Sequence, residues 1–137
     1  MKPTHIEHIG IAVADLEKSI GLYEKVFGLK CYNIEEVADQ KVKTAFFMVG
    51  QTKIELLAPT DTDSPVGRFI EKRGEGIHHI AFAVNNIEKQ LRYAEEQGVK
   101  LLDAVPRNGA EDLNIAFLHP GSTNGALIEI CEKNKRI

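Results

Sequence analysis

The sequence predicts an α+β fold: two paired βαβββ modules forming a curled mixed sheet around a cleft, with the helices outside. Three observations lead there. A short phrase occurs twice: His8-Ile9-Gly10-Ile11-Ala12-Val13, followed by Leu16-Glu17-Lys18, returns 71 residues later as His79-Ile80-Ala81-Phe82-Ala83-Val84, followed by Ile87-Glu88-Lys89. Each copy then ends on a strand-like run with one glutamate, Lys53-Ile54-Glu55-Leu56-Leu57 and Leu127-Ile128-Glu129-Ile130, and the glutamate follows its histidine by 47 and 50 residues. Between these landmarks each half carries one helical apolar period and several alternating runs.

The elements follow in order. Residues 5–13 and 77–84 are rich in β-branched residues and alternate in side-chain size, the pattern of strands. Asp15 caps a helix whose apolar stripe is Leu16, Ile20, Tyr23 and Phe27, and Gly28 stops it. In the second copy Asn86 caps, Ile87, Leu91 and Ala94 form the stripe, and Gly98 stops. The first half then continues in strands at about 29–36, 41–49 and 52–59, with Gly50-Gln51 as a hairpin turn. The second half continues at about 99–103, 113–119 and 126–132, with Pro120-Gly121 and Asn124-Gly125 marking the turn. A linker at about 60–76 joins module 1 (about 5–59) to module 2 (about 77–132), with a short helix over Val66 to Lys72. A three- or four-stranded module cannot bury its apolar face alone, so the whole chain, 1–137, is read as one domain in which two modules share a sheet.

Bulk properties exclude several classes. The 137 residues suit one compact domain; 43% are apolar and 27% charged, as in an ordinary globular protein. A net charge of −3 with scattered Lys and Arg gives no footprint for nucleic acid or membrane, and the densest basic run, Lys133 to Arg136, reads as a solvated tail. No apolar run approaches a membrane span and no signal-peptide core opens the chain. Cys31 and Cys131 have no paired-cysteine spacing, which fits two small buried thiols in a reduced, cytoplasmic setting.

Strand parity gives the repeat a chemical meaning. Residues i and i+2 share a face, so His8 lies with Gly10 and Ala12, and His79 with Ala81 and Ala83, while the bulky residues oppose them. Small neighbours leave room beside each imidazole, as a ligand cavity needs. Glu55 and Glu129 likewise oppose the pairs Ile54/Leu56 and Ile128/Ile130. A single strand histidine is usually a core or edge residue. Two histidines and two glutamates at matched places are instead the donor set of a first-row divalent metal, so the cleft is read as metal-containing. His78 points away from His79 to a helix-facing or edge side, His119 caps a loop before Pro120 near the cleft mouth, and His5 is exposed.

These residues resemble the vicinal oxygen chelate (glyoxalase/bleomycin resistance/dioxygenase) superfamily, and more narrowly the methylmalonyl-CoA epimerases, over about residues 5 to 132. The segments that carry the resemblance are the His8 to Leu16 phrase, Glu55-Leu-Leu-Ala-Pro59, Ser64-Pro65, Gly76-Ile-His-His-Ile80, Phe117-Leu-His-Pro120 and Ile128-Glu129. The resemblance implies that His8, His79 and Glu129 are metal ligands. Glu55 falls where family members place a glutamine or glutamate beside the metal, which makes it the fourth. The implied cofactor is one divalent ion (Co, Zn, Mn or Ni), and the implied reaction interconverts (R)- and (S)-methylmalonyl-CoA through a metal-stabilised enediolate. An acyl-CoA substrate, no nucleic-acid or membrane partner and a homodimer are expected. Some epimerases carry a glutamate as second acid/base where this chain has Thr44, which cannot serve at neutral pH. Glu129 and its symmetry mate Glu55 are therefore the expected catalytic pair. The alternatives are a glyoxalase I-type enzyme on a glutathione hemithioacetal, a non-haem Fe(II) dioxygenase, and a metal-free small-molecule-binding module. No Gly-rich phosphate loop is present, and no Lys or Arg stands out for the coenzyme phosphates.

Overall fold

The structure is a computed structural model and describes residues 1–134, so the basic run from Lys133 falls mostly outside the described residues. The elements are β1 (His5–Ala12), α1 (Leu16–Phe27), β2 (Asn33–Val37), β3 (Val42–Val49), β4 (Thr52–Pro59), α2 (Pro65–Arg73), β5 (Gly76–Ala83), α3 (Ile87–Glu96), β6 (Arg107–Asn108), β7 (Leu113–Phe117) and β8 (Ile128–Lys133). Both halves are thus βαβββ, and the α+β class predicted from the repeat is present. Two compact units are formed, His8–His78 in one, and Met1–Glu7 with the chain from His79 onward in the other. Among the described residues no helix is long and apolar enough to cross a membrane.

In the His8–His78 unit the strand order is β2-β3-β4-β1, with β1 parallel to β4 and the other pairs antiparallel. Asp15 caps α1 by accepting from the Lys18 N–H at 3.1 Å, and Gly28 ends the helix at φ 65, a left-handed conformation that costs glycine little. The buried face of α1 meets one side of the sheet, where Leu16 packs with Val13, Ala45, Phe47, Leu56 and Ala58, and Tyr23 stacks on Phe47 at 5.8 Å. On the opposite side α2 lays Val66 over Ala12, Val42 and Leu57, with Phe69 and Ile70 beside them. This corrects one expectation: the space next to Ala12 is filled by α2 rather than left open. Serine at position 64 caps that helix, and Gly67 is needed in its first turn because a Cβ there would meet the Thr62 carbonyl oxygen at 2.5 Å.

The other unit repeats the plan. Its strand order is β5-β8-β7-β6, with β5 parallel to β8 and the remaining pairs antiparallel; the first residues of the chain join it, the Thr4 N–H donating to the Ala83 carbonyl at 2.9 Å. Leu91 and Ile87 of α3 pack on Val84, Ala116, Leu118 and Ile130. The Asn86 side chain caps α3, and the Glu132 carboxylate accepts the Asn86 and Ile87 N–H groups at 2.6 and 3.1 Å, favourable at the positive end of a helix. On the other side of this sheet Ala81, Leu113, Ile115 and Cys131 pack together with Phe117.

Two predicted strands differ. The strand expected at about 99–103 is absent apart from a single bridge, Leu101 to Leu118, and the two-residue β6 stands in its place. The local hydrogen bonds explain it: the Leu102 and Asp103 N–H groups both go to the Phe117 carbonyl, and the Lys100 N–H goes to the Ser122 hydroxyl, so no ladder can propagate. Proline at 106 then offers no donor. The strand expected from 29 begins only at Asn33, because Leu29 and Cys31 turn into the α1 core and the Cys31 N–H is taken by Glu24. Both cysteines are free thiols, Cys131 buried and Cys31 half-buried.

Candidate functional site

Each unit holds one buried histidine–glutamate couple, and strand register puts it there. Parallel pairing of β1 with β4 sets Gly10 opposite Glu55. Residue 8 lies two before residue 10 and shares its face, so the His8 imidazole and the Glu55 carboxylate emerge side by side. With no side chain on Gly10 between them, Nε2 of His8 reaches 3.7 Å from Oε1 of Glu55. The two residues are 4% and 6% exposed. The other neighbour of Glu55, across the β3–β4 ladder, is Phe46, which is buried.

The second unit repeats every step. Ala81 lies opposite Glu129, His79 is two residues before Ala81, and Nε2 of His79 is 3.4 Å from Oε1 of Glu129. These residues are 4% and 2% exposed. Across the β7–β8 ladder Glu129 faces Phe117, whose ring also meets the His79 imidazole edge to face at 5.5 Å. Phe46 and Phe117 stand 71 residues apart, the same offset as the histidines, so the signal for them was in the repeat although sequence reasoning passed over it. The glutamates are 74 apart because the path from Phe117 to Glu129 is three residues longer than the path from Phe46 to Glu55, while the cross-strand pair is preserved.

The donor chemistry fits a divalent ion. Nitrogen and oxygen ligands at about 2.0–2.2 Å from a common ion, at tetrahedral angles, lie roughly 3.4 Å from each other. The two couples show 3.7 and 3.4 Å, longer than a good N–H···O hydrogen bond and close to that ligand separation. His8, His79 and Glu129 each offer one donor atom of the type that holds a metal ion, and all three are buried.

Other predicted positions resolve as follows. Thr44 lies on the Glu55 face, two residues before Phe46 on β3, but its hydroxyl donates to the Glu35 carbonyl at 3.1 Å and it is 1% exposed. It offers no acid or base to the site. His78 packs edge-on against Phe69 at 4.9 Å, and burial pulls its pKa down to about 4, which keeps it neutral. The His119 ring accepts the Gly121 N–H at 2.9 Å, the loop cap expected of it. His5, expected to be exposed, is half-buried, with its Nδ1 at 3.0 Å from the Thr4 hydroxyl.

Residues 7–117 match the Glyoxalase/Bleomycin resistance protein/Dioxygenase superfamily. The chain is 47% identical over 127 residues to the uncharacterized protein YqjC of Bacillus subtilis, covering 93% of this chain and 91% of that protein. It is 36% identical over 129 residues to the mitochondrial methylmalonyl-CoA epimerase of Dictyostelium discoideum, covering 93% of this chain and 78% of that one. Among solved structures, a variant of Streptomyces coelicolor methylmalonyl-CoA epimerase in complex with 2-nitronate-propionyl-CoA superposes with a TM-score of 0.93 at 34% identity, covering 96% of both chains. The couple-bearing βαβββ halves and these matches lead to one conclusion: the chain belongs to the glyoxalase/bleomycin resistance protein/dioxygenase superfamily, in which methylmalonyl-CoA epimerases match it over nearly its whole length.

Proposed function

We propose that this protein is an isomerase, a methylmalonyl-CoA epimerase that interconverts (R)- and (S)-methylmalonyl-CoA with the help of one divalent ion. The observation that carries the reading is the buried histidine–glutamate couple built twice, at register-equivalent positions, in a chain that matches epimerases of this substrate. His8, His79 and Glu129 hold the ion, with Glu55 as fourth ligand; Co, Zn, Mn and Ni all suit two imidazoles and two carboxylates. When bound, the ion supplies Lewis-acid stabilisation of the charge that grows on the thioester oxygen as the α-proton leaves.

The chain's own residues do the rest. The α-hydrogen lies between a thioester and a carboxylate, so a carboxylate base suffices to remove it. Glu129, with Oε1 turned to His79, takes the proton on Oε2. Glu55 delivers a proton to the opposite face of the planar intermediate, which inverts the centre. A positioned acid or base of this kind contributes about 10²–10⁴-fold in rate. Thr44 is no rival for the second role, since its hydroxyl is committed to a backbone carbonyl. Low exposure of all four residues excludes bulk water from the proton. The whole chain acts as one domain, in the cytoplasm, and as a homodimer, β2 and β6 each being an edge strand of its own unit.

Proton NMR of methylmalonyl-CoA in deuterated water tests the reading. Metal-loaded protein is expected to erase the α-proton signal rapidly, and a chelator to stop the exchange. An intact metal site with no exchange would overturn the epimerase and turn attention to glutathione hemithioacetals.

A further inference from the structure

The Glu129 couple has a cation on its own sheet face that the mechanism above does not use. The β6–β7 register sets Arg107 opposite Ile115, and Ile115 in turn lies opposite Cys131 on β8. Directly opposed residues share a face, as do residues two apart on a strand, so Arg107 projects from the face that carries Phe117, Glu129 and His79. Its guanidinium carbon lies 5.6 Å from the centre of the Phe117 ring, and the His79 imidazole meets that same ring at 5.5 Å. A single aromatic ring thus separates the guanidinium from the imidazole. Asp103 holds the arginine in place: Oδ1 lies 3.2 Å from Nε, while Oδ2 accepts the Phe117 N–H at 2.8 Å. The Asp103 contact engages Nε, and the fork of Nη1 and Nη2 is the edge an oxyanion takes bidentately. The side chain is 41% exposed and reachable by a ligand.

We propose that Arg107 is a specificity-determining residue that binds the free carboxylate of the acyl group. This rests on the function proposed above, whose substrate carries a carboxylate on the reacting carbon itself. Coenzyme phosphates offer the same oxyanion chemistry, but a guanidinium one ring away from His79 stands at the acyl end of the ligand. A guanidinium there selects a malonyl-type ester over a plain acyl ester.

Propionyl-CoA, which keeps every phosphate and lacks the carboxylate, separates the two sources. Equilibrium binding of methylmalonyl-CoA and of propionyl-CoA is measured on metal-loaded wild type, Arg107→Gln and Arg107→Lys, with thermal melts and metal content on the same samples. Arg107→Gln is expected to weaken methylmalonyl-CoA about 10-fold or more and to leave propionyl-CoA within about twofold, with Arg107→Lys recovering part of the loss. Unchanged binding of both esters by Arg107→Gln would overturn the proposal. Equal loss for both would overturn it too, and assign the arginine to a coenzyme phosphate. Alpha-proton exchange by wild type is followed in parallel. Its absence alongside an Arg107-dependent preference for methylmalonyl-CoA would end the epimerase reading and keep this one. Exchange with an Arg107→Gln that binds like wild type would do the reverse.

Discussion

Laid strand against strand, the two units agree in one row and part in the next. The shared row runs Gly10–Glu55–Phe46 in one unit and Ala81–Glu129–Phe117 in the other, with a histidine two residues before the small one. The following row runs Ala12–Leu57–Thr44–Glu35 in the first and Ala83–Cys131–Ile115–Arg107 in the second. The first unit covers the apolar part of this row with Val66 of α2. The second ends it on an arginine held by an aspartate. The proposed proton transfer at two faces of one carbon would ask the same chemistry of both halves, and there the rows match. A substrate with one carboxylate and one thioester is lopsided, and the next row is lopsided as well.

Removing the metal tests the shared row most severely. Chelation, His8→Ala and His79→Ala should each bring α-proton exchange to background, and each alanine variant should lose stoichiometric metal by elemental analysis. If one histidine were dispensable for both, the proposed metal-binding role of that couple would fail.

The phenylalanines should separate the two units by stability. Phe46 is fully buried, so Phe46→Ala should cost about 3–5 kcal/mol in urea unfolding. Phe117 is only half-buried and should cost less, yet its loss should weaken methylmalonyl-CoA binding because Arg107 stacks on it. Equal stability losses with no effect on binding would remove Phe117 from the account.

The smallest effects lie at the helix starts. Asp15→Ala removes a side-chain cap worth about 1 kcal/mol at an extended residue with φ −125. Asn86→Ala should cost more, because Asn86 also sits at φ 57, where alanine is strained, and Asn86→Gly should recover part of the difference. Equal costs for the two alanine variants, read from denaturation midpoints, would show that this backbone difference carries no energy.

Much of this was legible before the structure. The 71-residue offset, the caps Asp15 and Asn86, and the parity that sets His8 beside Gly10 all depend on local periodicity, which a sequence displays. The couples themselves needed register: only parallel pairing of β1 with β4 and of β5 with β8 brings each glutamate to its histidine. Long-range choices were hidden. That α2 would cover Ala12, that Asp103 would turn its side chain to the Phe117 N–H, and that Arg107 would be the residue left on the site's face follow from contacts between distant segments. The strand lost at 99–103 had the right composition for a strand, and hydrogen bonds to Ser122 and Phe117 decided against it.

The most direct test of the proposed two-base proton transfer is α-proton exchange in deuterated water from each pure epimer of methylmalonyl-CoA, using metal-loaded Glu129→Gln and Glu55→Gln with metal content verified. Glu129→Gln should stop exchange from one epimer and Glu55→Gln from the other, each by about 10²-fold or more, while epimerisation fails in both. Full epimerisation by either metal-bound variant, or the same epimer lost in both, would contradict the assignment.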